Sequence, residues 1–129
     1  MTKSINDVID FATNQVAAEH DTVPQERVVT GVASDASVEI NMTTLNHYTD
    51  PTEQFFAGIW HSSVGAKTVS YTEEEVCYIL EGRVRLTDQA GNAKEFGAGS
   101  TFVLPAGFKG TWETIEPIKK IYVIWQAKG

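Results

Sequence analysis

A single acid stands at the mouth of an otherwise apolar run, Glu75 to Asp88. The run is rich in β-branched, aromatic and aliphatic residues, which suits a strand packed on both faces. Alternation puts Glu75, Cys77 and Ile79 on one face and Val76, Tyr78 and Leu80 on the other. A carboxylate among such neighbours can act as a general acid or base. The alternative is structural: it accepts from backbone amides, or pairs with Lys120 or Arg85. Cys77 is the sole cysteine. A nucleophilic thiol needs a neighbouring cation to lower its pKa; no histidine lies near it in sequence, so a buried apolar thiol is expected. The three histidines, His20, His47 and His61, are scattered. His61 follows Trp60 in a strand pattern and could reach the same interior. The Glu73, Glu74, Glu75 run otherwise reads as a charged turn.

These residues have to be positioned by short strands. Val38, Ile40 and Met42 alternate with polar residues, and further strands are expected over Phe55 to Ser62 and Ala66 to Tyr71. The central run divides into two strands at Gly82, whose backbone freedom allows a sharp corner. A hairpin loop follows at Asp88 to Asn92, a corner at Gly97 to Gly99, and a strand over Thr101 to Leu104. The last two strands are Phe108 to Ile115 and Ile118 to Gln126, with Glu116 and Pro117 breaking between them. Near the start, Ile5, Val8, Ile9, Ala12 and Val16 recur at helical spacing, and Ser4 with Asp7 makes an N-cap pair, so a helix is expected from Ser4 to about Glu19. His20 to Ser37 reads as connection, with one short strand at Arg27 to Thr30. Residues 1–36 thus form a helix and arm, and residues 37–129 an antiparallel barrel or sandwich.

The chain has 129 residues, enough for one domain with a core of its own, and a net charge of −7. Both segments are acidic: residues 1–36 carry two basic and six acidic side chains, and residues 37–129 carry eight and eleven. No basic patch is visible, which argues against nucleic acid and against an anionic membrane surface. No apolar run approaches a membrane span, and the first residues lack the apolar stretch of a secretory signal. A cytoplasmic protein is expected. A lone cysteine agrees with a reducing compartment.

Glu75 and Gly82, separated by six residues, and Gly99, Pro105 and Gly107, separated by five and one, resemble the two motifs of the cupin family. The resemblance covers roughly residues 37–126. The run Glu75 to Gly82, then Trp112, then Glu116 to Tyr122, is similar to a subgroup of small cupins labelled ureidoglycine aminohydrolase-like or compared with the ethanolamine-utilisation cupin. The resemblance implies an all-β, RmlC-like jelly-roll barrel, here with a short N-terminal helix and arm, and by family habit a homodimer.

The departure from the motif carries as much weight. The two histidines that precede the cupin glutamate are replaced, whichever way the spacing is counted, by residues among Thr68, Val69, Ser70, Tyr71 and Glu73. The third falls on Gly110. A transition metal wants several N, O or S ligands converging on one point. Glu75, His61 and Glu73 are the best set that is left for a divalent metal, and no cofactor is expected.

By family analogy the barrel interior has an open mouth lined by Trp60, Tyr71, Glu75, Cys77, Gly110, Trp112 and Lys120, with Gly110 leaving space where an imidazole would sit. Two functions fit. One is a small-molecule-binding cupin without the usual histidines. The other is an aminohydrolase- or isomerase-like enzyme on a small polar metabolite. There Glu75 is acid or base, Lys120 or Tyr71 holds an anionic group, and the tryptophans exclude water.

Overall fold

The computed structural model describes residues 2–26 and 39–128. Eight strands account for most of them: β1 Glu19–Pro24, β2 Glu39–Thr49, β3 Phe55–Ser62, β4 Gly65–Ser70, β5 Glu74–Asp88, β6 Ala93–Gly97, β7 Thr101–Leu104 and β8 Lys109–Trp125. All pairings are antiparallel. The order is β1-β2-β3-β8-β5-β6, with β4 also on β8 and β7 also on β5. This is the all-β jelly-roll architecture that the motifs imply.

β5 and β8 are the spine. Their register runs from Glu74 opposite Trp125 to Asp88 opposite Gly110, and it slips around Gly82. The outer halves of both strands carry β3 and β7, and the inner halves carry β4 and β6. The expected breaks at Gly82 and at Glu116–Pro117 are therefore bends in two continuous strands. Gly82 has φ 91°, and a Cβ there would lie 2.2 Å from the carbonyl oxygen of Pro117. Only glycine permits both that backbone and that approach.

The core is built from inward positions of these strands: Cys77, Ile79, Val84, Leu86, Leu104, Trp112 and Ile118. The alternation expected for β5 is observed, since Glu75, Cys77 and Ile79 are buried. Its other face is not packed. Val76 is 38% and Tyr78 41% exposed, and Val103, paired with Val76, is 58% exposed.

The long helix expected from Ser4 to Glu19 is absent. Ser4 and Asp7 do form a capping box, but around one 3-10 turn, Ile5–Asp7. Asp10 then accepts from the Ala12 amide, and Phe11 and Asn14 dock on His47 through a ring stack at 4.5 Å and a 3.2 Å hydrogen bond. Asn and Asp side chains compete with the backbone for hydrogen bonds in this way. The start of the apolar stripe is uncovered among the described residues: Ile5 is 80% and Val8 66% exposed. Part of the segment read as connection is strand β1, which extends the sheet by pairing with β2. The short strand expected at Arg27 to Thr30 lies outside the described residues.

Candidate functional site

The inward faces of β2, β3, β4, β5 and β8 enclose a cavity of about 460 Å³ that opens beside β1. Its floor is an ion pair. Glu75 leads β5 into the barrel, and Lys120 faces it from β8, with Nζ donating to Glu75 Oε2 at 2.7 Å. Both side chains are buried, at 6% and 5% residue exposure. Cys77, two residues along β5, donates its thiol proton to the same oxygen at 3.2 Å, and Lys120 Nζ lies 3.5 Å from its sulfur.

Lys120 is also held by rings. Its ammonium lies 4.3 Å from the centre of the Trp112 ring and 4.8 Å from that of Trp60. The two indoles meet edge to face at 5.6 Å, and Trp112 Nε1 is satisfied by Thr114 Oγ1 at 3.0 Å. A cation over an indole face is attracted by the ring quadrupole, most strongly when both are desolvated. Burial works against the Lys120 charge, but the Glu75 carboxylate, with Cys77 adding to it, outweighs that and holds its pKa above the ordinary lysine value. Burial pushes the Cys77 thiol the other way from reactivity, up to about 12. A thiol so placed is inert as a nucleophile at neutral pH.

The register explains which of the adjacent lysines turns inward. Lys120 pairs with Trp60 and Ile79, both inward residues, whereas Lys119 pairs with His61 and Glu81. Tyr71 closes the wall beside Glu75, near Phe108; burial, then the Glu75 charge, raises its pKa. Tyr122 stands opposite, donating to Asn46 Oδ1 at 2.7 Å.

Trp60, Tyr71, Glu75, Trp112 and Lys120 thus share one cavity wall, with Cys77 behind the ion pair. Gly110 is not part of it. A Cβ at Gly110 would lie 2.0 Å from the backbone oxygen of Thr87, so the glycine marks close passage of two strands, not a vacated imidazole site. The alternative pairing of Glu75 with Arg85 is also excluded, because Arg85 pairs with Glu95 at 3.3 Å.

Several wall residues are missing from the sequence reading, among them Thr44, Phe56 and Tyr122, and one more is charged and faces inward. Lys67, on β4 opposite Trp112, projects into the cavity with Nζ 5.4 Å from the Trp60 ring centre. The signal was present: counting back from Tyr71 by twos along a strand gives Val69 and Lys67.

The divalent metal that the cupin motifs imply does not suit these side chains. Two ammonium groups, Lys120 and Lys67, border the cavity where ligands should converge. Glu75 Oε2 already accepts from Lys120 and Cys77. His61 alternates with Trp60 onto the outer face, where burial and then Lys119 lower its pKa. Glu75, His61 and Glu73 are not brought together, and among the described residues no group of three His, Cys, Asp or Glu side chains could hold a metal.

Comparison with known proteins agrees with this architecture. The EutQ-like cupin domain model matches residues 49–122, more than half of the chain. Among solved structures, the Clostridium difficile EutQ protein is 17% identical, with a TM-score of 0.62 over 69% of this chain and 65% of its own. A putative ethanolamine utilization protein Q from Salmonella typhimurium is 20% identical, with a TM-score of 0.60 over 88% of this chain and 99% of its own. A protein of unknown function from Pseudomonas syringae pv. tomato is 18% identical, with a TM-score of 0.63 over 80% of this chain and 43% of its own. The chain therefore spans less than two thirds of the Clostridium and Pseudomonas proteins, and at these identities the likeness is one of fold. No curated protein matches the sequence. Among the described residues no helix is long and apolar enough to cross a membrane. The chain belongs to the EutQ-like cupin family.

Proposed function

We propose that the protein binds a small organic molecule in the barrel cavity, without a metal and with no other cofactor. The observation that carries this reading is the Lys120 ammonium held between Glu75 and the faces of Trp60 and Trp112. It supplies a fixed, oriented polar floor under aromatic walls. The volume of about 460 Å³ falls within the range of small-ligand sites. The alternative, an aminohydrolase- or isomerase-like enzyme with Glu75 as acid or base and Lys120 or Tyr71 on an anionic group, is less well supported. A proton moving to or from Glu75 Oε2 would have to displace donors already bonded there.

The reading is tested by a thermal-shift screen of small polar metabolites, followed by tryptophan fluorescence. A ligand that binds only the folded state raises Tm with its concentration. Hits should perturb Trp60 and Trp112 emission and be abolished by Thr44→Trp, which fills the cavity from β2. Hits indifferent to that substitution would place binding elsewhere and overturn the reading.

A homodimer formed through the outer sheet face belongs to the same proposal. Register aligns Tyr48, Ala57, Val123, Val76 and Val103 across five strands, with Ile59, Ile121 and Tyr78 in the neighbouring row. These two rows bear no charge, with Glu74 and Lys119 at their margins, and contiguous apolar surface of that kind marks an interface. A second copy fits it because an apolar face is complementary to itself across a two-fold axis. Partners then comprise the ligand and a second copy, with neither nucleic acid nor membrane, in the cytoplasm.

A further inference from the structure

We propose that Lys67 is the anion-binding group of the cavity, and that the ligand is a small monocarboxylate with a flat or apolar body. The inference rests on the cavity being a binding site, and it names the chemistry of the occupant.

The charges of the cavity are unequally matched. Lys120 has Glu75 at 2.7 Å and two indole faces. Lys67 has no such partner among the described residues. Among the described residues no carboxylate lies within ion-pair distance of its Nζ, and its hydrogen bond goes to the thioether sulfur of Met42 at 3.3 Å. A thioether is a weak acceptor. An ammonium with three donors, facing a cavity and satisfied by one sulfur, has donors to spare for a ligand.

The wall's charges point the same way. Lys67 and Lys120 face inward against Glu75, a surplus of one positive charge. Glu19 also borders the opening, where its charge acts on Tyr122, but it is not among the charges that act on Lys67. Asp21 and Glu26 act on Lys67 only from a distance, as Glu75 does. Burial, then the Lys120 charge, lowers the Lys67 pKa, so the site as it stands disfavours its own cation. An anion placed against Nζ removes that penalty.

The aromatic walls exclude the opposite reading. An aromatic box is the usual receptor for a ligand cation. Here Lys120 occupies the faces of Trp60 and Trp112, and Lys67 approaches Trp60 as well. A cationic ligand would meet two resident ammonium groups. A dianion such as phosphate would bring a second negative charge toward Glu75. One negative charge on a flat or apolar body matches the one cavity ammonium without a carboxylate partner among the described residues, and the rings of Phe56, Tyr71 and Tyr122.

The experiment uses three probes that share a ring and differ in charge: benzoate, benzamide and benzylamine, titrated into the full chain by calorimetry at constant ionic strength. The expected order is benzoate tightest and benzylamine weakest, with benzoate at least tenfold tighter than benzamide. Lys67→Met should erase the difference between benzoate and benzamide, and Lys67→Arg should keep it. Equal binding of benzoate and benzamide by the unmodified chain, or a benzoate preference that survives Lys67→Met, overturns the assignment while leaving the cavity as a binding site. Benzylamine binding tightest also overturns it, in favour of Glu75 as the recognition group. Failure of all three probes to bind removes the cavity reading together with the Lys67 assignment.

Discussion

Lys120 Nζ and Glu75 Oε2 lie 2.7 Å apart, both buried, across the pairing of β5 and β8. Each is the other's main charged partner. Removing one leaves an uncompensated charge in the interior, which typically costs about 3–5 kcal/mol. Glu75→Gln and Lys120→Met should each lower stability by about that amount in urea unfolding, and the double variant should lose less than the sum. Additive losses would mean that the two side chains are not coupled.

Lys67 should behave in the opposite sense. Its pKa is depressed by burial and by Lys120, so the folded state disfavours the charged form. Lys67→Met is expected to raise Tm by a few degrees, as measured by circular dichroism at pH 7. A fall in Tm would mean that Lys67 has a stabilising role, against this account.

The two lysines also predict pH behaviour of opposite sign. A lysine whose folded pKa is lowered binds fewer protons in the folded than in the unfolded chain between the two values, so the Lys67 contribution to stability rises with pH through that window. Carboxylate affinity should fall through the same window, beginning below the ordinary lysine value. The Lys120 pKa is raised, so its contribution is fully present below the unfolded value and is lost only as pH rises through the higher folded value. Benzoate titrations from pH 7 to 10 should show weakening in the unmodified chain and a flat profile in Lys67→Met. A flat profile in both would contradict a titrating Lys67.

Cys77 should be silent while the chain is folded. Its thiol is fully buried and pushed up to about 12. Alkylation by iodoacetamide at pH 8, followed by mass spectrometry, should proceed only through opening of the barrel and accelerate with urea. Rapid labelling without urea would show an exposed thiolate.

Substitution at Gly110 tests the fate of the third cupin histidine. Restoring the motif with Gly110→His should unfold or strongly destabilise the protein, because its Cβ would meet the Thr87 carbonyl at 2.0 Å. A stable, metal-loaded Gly110→His variant would show that the position is a vacated ligand site after all.

What was legible in the sequence follows from which physics is local. Period-two alternation put Glu75, Cys77 and Ile79 on one face, and the glycine and proline spacings marked the corners. The same alternation, carried back along β4 from Tyr71, reaches Lys67. Choosing between Lys119 and Lys120 required the register with β3, which is set across the barrel. Gly110 looked like removed volume because spacing carries no information about a strand passing behind it. The Ser4 to Glu19 stripe has helical period, but among the described residues nothing covers Ile5 and Val8, and a helix without a buried face is marginal in water.

The central claim is a cavity organised by an ammonium and a carboxylate in place of a metal. Elemental mass spectrometry on untagged protein, purified without chelator and then incubated with Mn, Fe, Ni and Zn, tests it most directly. Metal far below one equivalent per chain, unchanged by Glu75→Gln, is the expected result. Near-stoichiometric metal that disappears in Glu75→Gln would contradict it.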